Sequence, residues 1–548
     1  MGETSGFDYD DKVSDWNWDV PKKYNMGYDC CDRVADDPAT SNKVALYWEN
    51  EKGEERRFTF LEMKNLSNRF GNALRKLGFS KGDRFLMRLP NVPEFQMVFL
   101  GGVKIGAVPI PSSTMFKAKE IEYRILDSDA IAVITTPEGM EDVDKIKGNC
   151  PTLKHIIIVG DELKEGELSF YDLIENESTE LEIEDTDAED MAFFCYTSGT
   201  TGMPKGAVHA HRWVIGNDPA SQYWQTYRPD DIMAHTGALN WIFPLGNAFL
   251  YAWRHKTTVF LYDGRFEPEI WFSLLEKYKV TNLASVPTCY RMFLTIEDAE
   301  KRYDLGALRH CISAGEPLNP EVVKEWRERF NCEILDGIGM TEVMVYLSNI
   351  TDMPIKPGSC GRPQPGHVCE IVDDDANPVP PNVPGTLAVS QDDPGLFKEY
   401  WNKPEKTSKS FKNGWFLSGD TLYKDKEGYF WFSGRGDDLI MTAGYRVSPF
   451  EVESVVNHHP AVLESAAVAS PDEVRGVIVK SFIILNEGYE PSDELAKNIQ
   501  RFVRKNTAPY KYPREIDFVE SLPKTQSGKT KRKLLREKEI EQKMAPGP

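Results

Sequence analysis

The sequence predicts an α/β protein: layered helices and strands over most of its length, followed by a smaller unit of its own from about residue 437. Three observations carry this. Helical and extended apolar patterns alternate along the first half. The extended stretches are short and rich in β-branched residues, as in buried parallel strands. The pattern then changes at 369–390, and a second set of helix and strand signals follows 437.

Taken in order, Leu66, Phe70, Ala73 and Leu77 recur at helical spacing, and Gly78 stops the run. RFLMRLP reads as a strand ending at Pro90, and AIAVITT and HIIIVG as buried strands. ELEIEDTDAED (180–190) reads as a solvated acidic linker. MAFFCY (191–196) is apolar and β-prone, so the segment after it leaves a strand. CEIVDDDANPVPPNVPGTLAVS (369–390) reads as two strands joined by a proline-rich turn. Beyond 437, SPFEVESVVNHHP is helical in period, and ESAAVAS and VIVKSFIIL are strands. SDELAKNIQRFVRKN has a serine cap and one apolar face.

The chain has 548 residues, enough for several domains at roughly 100–200 residues each. Its net charge is −21, which disfavours nucleic acid and anionic membrane as partners. Any polyanionic ligand must therefore meet a local basic site. Nine scattered cysteines without C-x-x-C read as reduced thiols of a cytoplasmic protein. MGETSGFDYDD is acidic, unlike a signal peptide, and Gly6 stands where myristoylation needs Ser or Thr. The longest apolar run, FQMVFLGGVKIGAVPIP, is broken by Lys104, so no membrane insertion is expected.

YTSGTTGMPKG (196–206) has the composition of a phosphate-holding loop, although Pro204 stands where the common G-x-x-x-x-G-K-[ST] loop needs glycine. Gly199, Gly202 and Gly206 let the backbone turn sharply and approach a ligand. Thr197, Ser198, Thr200 and Thr201 offer hydroxyl donors, and Lys205 adds charge. Charged hydrogen bonds are worth roughly 1.5–3 kcal/mol each. The other reading is a flexible Gly/Thr surface turn. His209 and His211 have the spacing of one strand face or of a helix start, and a metal site would need further ligands that do not stand out. Neither G-x-S-x-G nor a Cys/His hydrolase signature is present.

This loop resembles the signature of the adenylate-forming superfamily, which holds acyl- and aryl-CoA ligases, luciferases and the adenylation domains of peptide synthetases. Its other motifs follow in family order over nearly the whole chain. In SAGEPLNP (313–320) the resemblance sets Gly315, Glu316 and Pro317 flat against adenine, where a side chain at Gly315 would intrude. In DGIGMTE (336–342) it gives Asp336, Gly337 and Ile338 to the nucleotide, Gly339 to the acyl group, Thr341 to the α-phosphate and Glu342 to magnesium. Most relatives carry a stacking aromatic where this chain has Ile338, though benzoate-type ligases tend to carry Ile. Asp420 in WFLSGD matches the carboxylate on the ribose hydroxyls. Arg435 in GRGDD matches a ribose or phosphate contact, and Asp437 the hinge between domains. Gly444 in MTAGYRVSPFEVE matches the glycine lining the pantetheine tunnel, and Arg446 is a candidate phosphate contact.

In LPKTQSGKTKRKLLR (522–536), Lys529 matches the catalytic lysine that bridges carboxylate and α-phosphate as charge builds. Six basic residues and no acidic one lie between Lys524 and Arg536, the local positive site that the overall charge demands. A solvated basic helix or a localisation signal are the other readings of that run. The resemblance implies an N-terminal ATP- and acyl-binding domain over 1–436, with a β-rich part at about 345–434. A mobile C-terminal α+β domain over 437–548 carries the lysine.

It also implies a reaction. A carboxylate attacks Mg2+·ATP to give acyl-AMP and pyrophosphate, and the thiol of coenzyme A then takes the acyl group. NWIFPLGNAF (240–249) looks like benzoate-CoA ligases and offers Trp241 and Phe243 to the acyl pocket, although Trp241 reads equally as core. APYKYPREIDFVESLPKT (508–525) looks like medium-chain acyl-CoA synthetases, and Val345 stands near the point where benzoate ligases often have histidine. The expected acid is benzoate, a cyclohexene-carboxylate or a medium-chain or branched acid. The alternatives are an acyl-AMP ligase feeding a carrier protein and a catalytically silent nucleotide-binding protein. Expected partners are small molecules, with a homodimer as an option.

Overall fold

Thr59 opens the first long helix, Phe60–Lys76, through a reciprocal capping box with Glu62. The helix buries Met63, Ser67, Phe70 and Leu74, so the predicted stripe is rotated: Leu66 and Leu77 flank the buried face, half-exposed. Gly78 then takes a left-handed φ of 87° and ends the run. The computed structural model describes residues 9–197, 203–316, 318–351, 353–435, 438, 440–442, 445–472, 476–506, 511–524 and 529–544. They pack as two compact units. One runs up to Val368 and resumes over Ser390–Gly414; the other comprises Cys369–Val389 and the chain from Trp415 onward.

In the first unit, β1 (Val44–Asn50) and β2 (Glu55–Thr59) pair antiparallel. Next come β3 (Arg84–Arg88), β4 (Val108–Pro111), β5 (Ala132–Thr135), β6 (His155–Ile158) and β7 (Leu168–Ser169). These form a parallel sheet in the order β4-β3-β5-β6-β7, whose apolar face packs against Ile121 and Ile125 of the helix Ala118–Ser128. The apolar run of the sequence divides between the buried helix Pro93–Lys104 and β4. The helix's terminal Lys104 is sealed against Asp32, Ser67 and Asn68. Among the described residues no helix is long and apolar enough to cross a membrane.

The antiparallel pair β8 (Met191–Thr197) and β9 (Lys205–Ala210) flanks the phosphate loop. The large sheet then collects β10 (Ile232–His235), β11 (Thr258–Asp263), β12 (Asn282–Ser285), β13 (His310–Ala314), β14 (Ile334–Met340), β15 (Met344–Ser348) and β16 (Arg362–Pro363). Its order is β16-β15-β14-β13-β12-β10-β11-β1-β2, parallel from β14 to β1 and antiparallel at both margins. The parallel core brings the carboxyl ends of β10, β12, β13 and β14 to one edge, where such sheets bind ligands.

The acidic linker differs from its expected solvated state. Thr186 is buried and its hydroxyl donates to the carbonyl of Tyr24 at 2.8 Å. Lys23 pairs with Asp185 and Asp187, and Lys81 with Asp190. Basic side chains distant in sequence neutralise the run and pin it.

The chain enters the second unit with β17 (Cys369–Val372) and β18 (Gly385–Ser390), antiparallel across the proline-rich turn as expected. It returns to the first unit for β19 (Glu399–Tyr400) and β20 (Phe411–Lys412). The second unit resumes with the antiparallel pair β21 (Trp415–Lys424) and β22 (Phe430–Arg435), then the hairpin β23 (Ile440–Thr442) and β24 (Tyr445–Val447). Last comes a sheet of β25 (Val462–Asp472), β26 (Gly476–Leu485) and β27 (Glu515–Phe518). Val452, Val456, Ile499 and Val503, from the helices Pro449–Asn457 and Asp493–Asn506, close its core. Ser492 caps the second of these, its hydroxyl accepting from the N–H of Leu495 at 3.2 Å.

Candidate active site

Strand β8 ends at Thr197, whose hydroxyl oxygen is buried without a hydrogen-bond partner among the described residues. Ser198, Gly199, Thr200, Thr201 and Gly202 lie outside the described residues. Beyond the loop, Lys205 opens β9. Gly206 does not turn the chain, as the loop reading expected. It sits inside β9 opposite Tyr196, where a Cβ would meet the tyrosine ring at 3.2 Å. Both roots of the loop are tied to the helix Ala118–Ser128. The Tyr196 hydroxyl donates to Asp127 at 2.9 Å, and burial beside that carboxylate pushes its pKa far up. The Tyr123 hydroxyl reaches the Pro204 carbonyl at 2.7 Å, and Lys403 pairs with Asp127 at 2.6 Å.

Strand β14 carries Asp336, Gly337, Ile338 and Gly339, and Thr341 and Glu342 turn the chain toward β15. Asp336 is half-buried as a residue, but its Oδ1 is sealed off with no partner among the described residues. Burial raises its pKa well above the usual carboxylate range. At Gly339 a Cβ would stand 2.2 Å from the Met344 carbonyl, so only glycine fits. Gly315 is different. A Cβ there meets only Val286 at 3.9 Å, and it is the left-handed φ of 95° that asks for glycine. Glu316 accepts from the Thr288 hydroxyl at 2.8 Å; Pro317 lies outside the described residues. The Glu342 carboxylate is 6% exposed, and its Oε1 accepts from the Tyr400 hydroxyl at 2.6 Å. The Lys205 ammonium stands 3.9 Å from the centre of the same tyrosine ring.

In the second unit, Asp420 is buried on β21 opposite Arg435 of β22, and its N–H donates to the Ser418 hydroxyl at 3.1 Å. Asp437 and Gly444, and the side chains of Arg435 and Arg446, lie outside the described residues. The flanks of Gly444 pair as β23 and β24, with Thr442 opposite Tyr445. Lys524 and Thr530 form an antiparallel bridge with exposed Lys529 just inside it. The basic run is less positive than expected. Lys524 pairs with Glu464, Arg532 with Glu453, Lys533 with Glu537 and Arg536 with Asp438, which offsets part of its charge.

A model of the AMP-binding enzymes matches residues 33–401, and one of the AMP-binding enzyme C-terminal domain matches 451–529. The chain belongs to the AMP-binding enzyme family. The acetyl-coenzyme A synthetase of Bacillus subtilis is 42% identical to this ligase over 94% of this chain and 91% of its own. The human mitochondrial acyl-coenzyme A synthetase ACSM3 is 37% identical over 97% and 92%. Among solved structures, the anthranilate CoA ligase AuaEII in complex with anthranoyl-AMP matches at a TM-score of 0.87, 34% identical over 95% of this chain and 98% of its own. A benzoate CoA ligase from Burkholderia xenovorans LB400 matches at 0.83, 30% identical over 94% and 100%.

The chain is thus an adenylate-forming acid–thiol ligase, and ATP, Mg2+ and coenzyme A are its cofactor and co-substrates, as the loop implied. No group of three or more metal-ligating side chains gathers among the described residues. Magnesium is usually held by one or two carboxylates plus substrate phosphates, so a lone buried Glu342 fits it. His209 and His211 are buried, and His209 stacks on Phe193 at 4.7 Å, a core role.

Sequence reasoning missed two features of this ligase. Trp224 is fully buried and donates its indole N–H to the Leu335 carbonyl at 3.0 Å. The Phe243 ring lies near-parallel to it at 6.2 Å and meets the His235 ring edge-on at 4.6 Å. Burial presses the His235 pKa down to about 3, so the ring is neutral. Trp241, half-buried, stands at the start of the helical turn Ile242–Leu245. The second feature is a groove of about 740 Å³ along the helix Asp493–Asn506, lined by Lys497, Arg501, Arg504 and Tyr512, with Asp493 and Glu494 beside them. Its signal was the run 495–514, which holds six basic residues and no acidic one.

Proposed function

We propose that this ligase activates a cyclic or aromatic carboxylate, or a medium-chain or branched acid, by way of its acyl-adenylate. The observation that carries the acid is the cluster of Trp224, Phe243 and neutral His235 against Gly337, an apolar aromatic wall suited to a ring or a short chain. The relative that carries anthranoyl-AMP in its structure supports the aromatic choice.

In this reading the loop 197–205 holds the β- and γ-phosphates, and Thr341 holds the α-phosphate. Glu342 holds the magnesium, which neutralises phosphate charge when bound. Gly315, Glu316, Pro317, Asp336 and Ile338 frame adenine, and Asp420 with Arg435 takes the ribose. Lys529 supplies the positive charge that stabilises the transition state of adenylation. In this reading Asp437 is the hinge about which the C-terminal domain withdraws Lys529 and brings Gly444 and Arg446 to the thioester step. The groove of Lys497, Arg501 and Arg504 suits the phosphates of the nucleotide end of coenzyme A. Nine free thiols support a cytoplasmic location.

The test is pyrophosphate release with and without coenzyme A over a panel of acids, repeated with Lys529→Ala. Benzoate-like or medium-chain acids lead the panel. The variant slows adenylation by ~10²-fold or more yet still makes thioester from supplied acyl-AMP. Acetate leading the panel, or equal loss in both half-reactions, refutes the reading.

A further inference from the structure

We infer that Tyr400 is a positioning residue that sets the metal-binding carboxylate and the phosphate-loop lysine against one another, an inference that rests on the roles proposed above for Glu342 and Lys205. Its hydroxyl donates to Oε1 of Glu342 at 2.6 Å. The face of its ring receives the Lys205 ammonium at 3.9 Å. The side chain is 4% exposed and packs on Phe397, ring to ring at 4.7 Å.

The backbone around it is stitched to both motifs. On one side, the N–H of Phe397 donates to the Glu342 carbonyl at 2.7 Å. On the other, Tyr400 pairs with Ala207 in β9, and the N–H groups of Lys398 and Trp401 donate to the carbonyls of Val208 and Gly206. The short strand β19 is thereby an edge strand on the exit of the phosphate loop whose near end holds the backbone of Glu342. With Oε1 engaged by the phenol, the Glu342 carboxylate is held in one orientation. The same ring thus meets both groups, the carboxylate through its hydroxyl and the lysine's positive charge through its face. A hydrogen-bonding partner behind a metal-binding carboxylate typically governs metal affinity.

Two variants of the full chain separate the contacts. Tyr400→Phe keeps the ring and removes the hydroxyl; Tyr400→Leu removes both. Calorimetry follows ATP binding with Mg2+ and with EDTA, and Mn2+ binding in the presence of ATP is followed by its paramagnetic resonance. Tyr400→Phe weakens Mg2+·ATP and Mn2+ binding about 10-fold and leaves ATP binding in EDTA unchanged. Tyr400→Leu also weakens ATP in EDTA about threefold, as the cation loses its aromatic face. In a Glu342→Gln background Tyr400→Phe has no further effect on Mn2+. Wild-type metal affinity in Tyr400→Phe, or additive losses in the double variant, overturns the inference. A fall in melting temperature with every binding constant unchanged assigns Tyr400 to packing alone and overturns it equally. Wild-type protein that binds no Mg2+·ATP defeats the roles of Glu342 and Lys205 themselves, and this inference with them. If Tyr400→Leu does not fold, Tyr400→Phe decides.

Discussion

The hydroxyl of Tyr123 donates to the carbonyl of Pro204 at 2.7 Å, and the same hydroxyl lies 3.1 Å from Asp127, which accepts from Tyr196. Tyr196 precedes the phosphate loop and Pro204 follows it. One residue pair on the helix Ala118–Ser128 therefore holds both ends of the phosphate loop. Removing one neutral hydrogen bond costs about 1 kcal/mol, and here the cost falls on the loop's bound geometry. Tyr123→Phe is expected to raise the KM for ATP about fivefold and to leave the KM for the acid unchanged. Steady-state pyrophosphate release measures both constants. An unchanged KM for ATP removes the clamp from the account of nucleotide binding.

What was legible in the sequence was local. The strand before the loop, the parallel strands β3, β5 and β6, the hairpin β17–β18 and the capped helix Asp493–Asn506 each announce themselves within one short contiguous stretch. The supporting contacts were not legible, because they join residues far apart in the chain. Tyr400 and Glu342 are 58 positions apart, Asp127 and Tyr196 are 69, and Trp224 and Leu335 are 111. Nothing in KEYWNKP marks its tyrosine as a partner of a carboxylate two motifs away. Gly206 was misread for a related reason. A glycine next to a loop suggests a turn, but here it makes room for Tyr196 across a ladder whose register no local pattern reveals. The charge of the basic run at 524–536 was overstated because its carboxylate partners Glu464, Glu453 and Asp438 lie outside it.

The buried histidines make the stability of the first unit depend on pH in a definite direction. Burial presses His209, His211 and His235 down to about 3 and His310 to about 4, from an ordinary 6.5. Nearby charges modify this only secondarily: Arg212 at His209, Asp190 and Lys81 at His211, and Arg309 and Asp231 at His310. Unfolded, each ring takes a proton below about 6.5; folded, it stays neutral until the pH falls to about 3 or 4. The unfolded state binds more protons in that window, so stability is full above it and is lost as the pH falls. Asp32, Asp263 and Asp336, whose pKa values burial raises, work the other way, three groups against four. The melting temperature is expected to fall steadily from pH 7 to pH 5, with net proton uptake on unfolding. His310→Asn makes that slope shallower. A flat profile over this range contradicts neutral buried rings.

The contact between Gly337 and Trp224 ties stability to the choice of acid. A Cβ at position 337 would stand 3.0 and 3.1 Å from two atoms of the Trp224 indole and 3.2 Å from the Cβ of Ser348. The indole has no room to retreat, since it is fully buried and its N–H is bonded to the Leu335 carbonyl. Gly337→Ala therefore overpacks a filled site, at a cost of about 1–3 kcal/mol. The added methyl therefore strains the wall that the indole forms with the near-parallel Phe243. One added methyl in an apolar pocket discriminates by roughly 10–200-fold. Benzoate and cyclohexene-carboxylate are accordingly expected to lose at least about tenfold in kcat/KM relative to a two- or three-carbon acid. Trp224→Phe added to Gly337→Ala gives back both the melting temperature and the preference for rings, because the smaller ring vacates the space that the methyl takes. If Gly337→Ala melts lower but keeps the acid ratio unchanged, Trp224 belongs to the core alone and the acyl wall must be sought elsewhere.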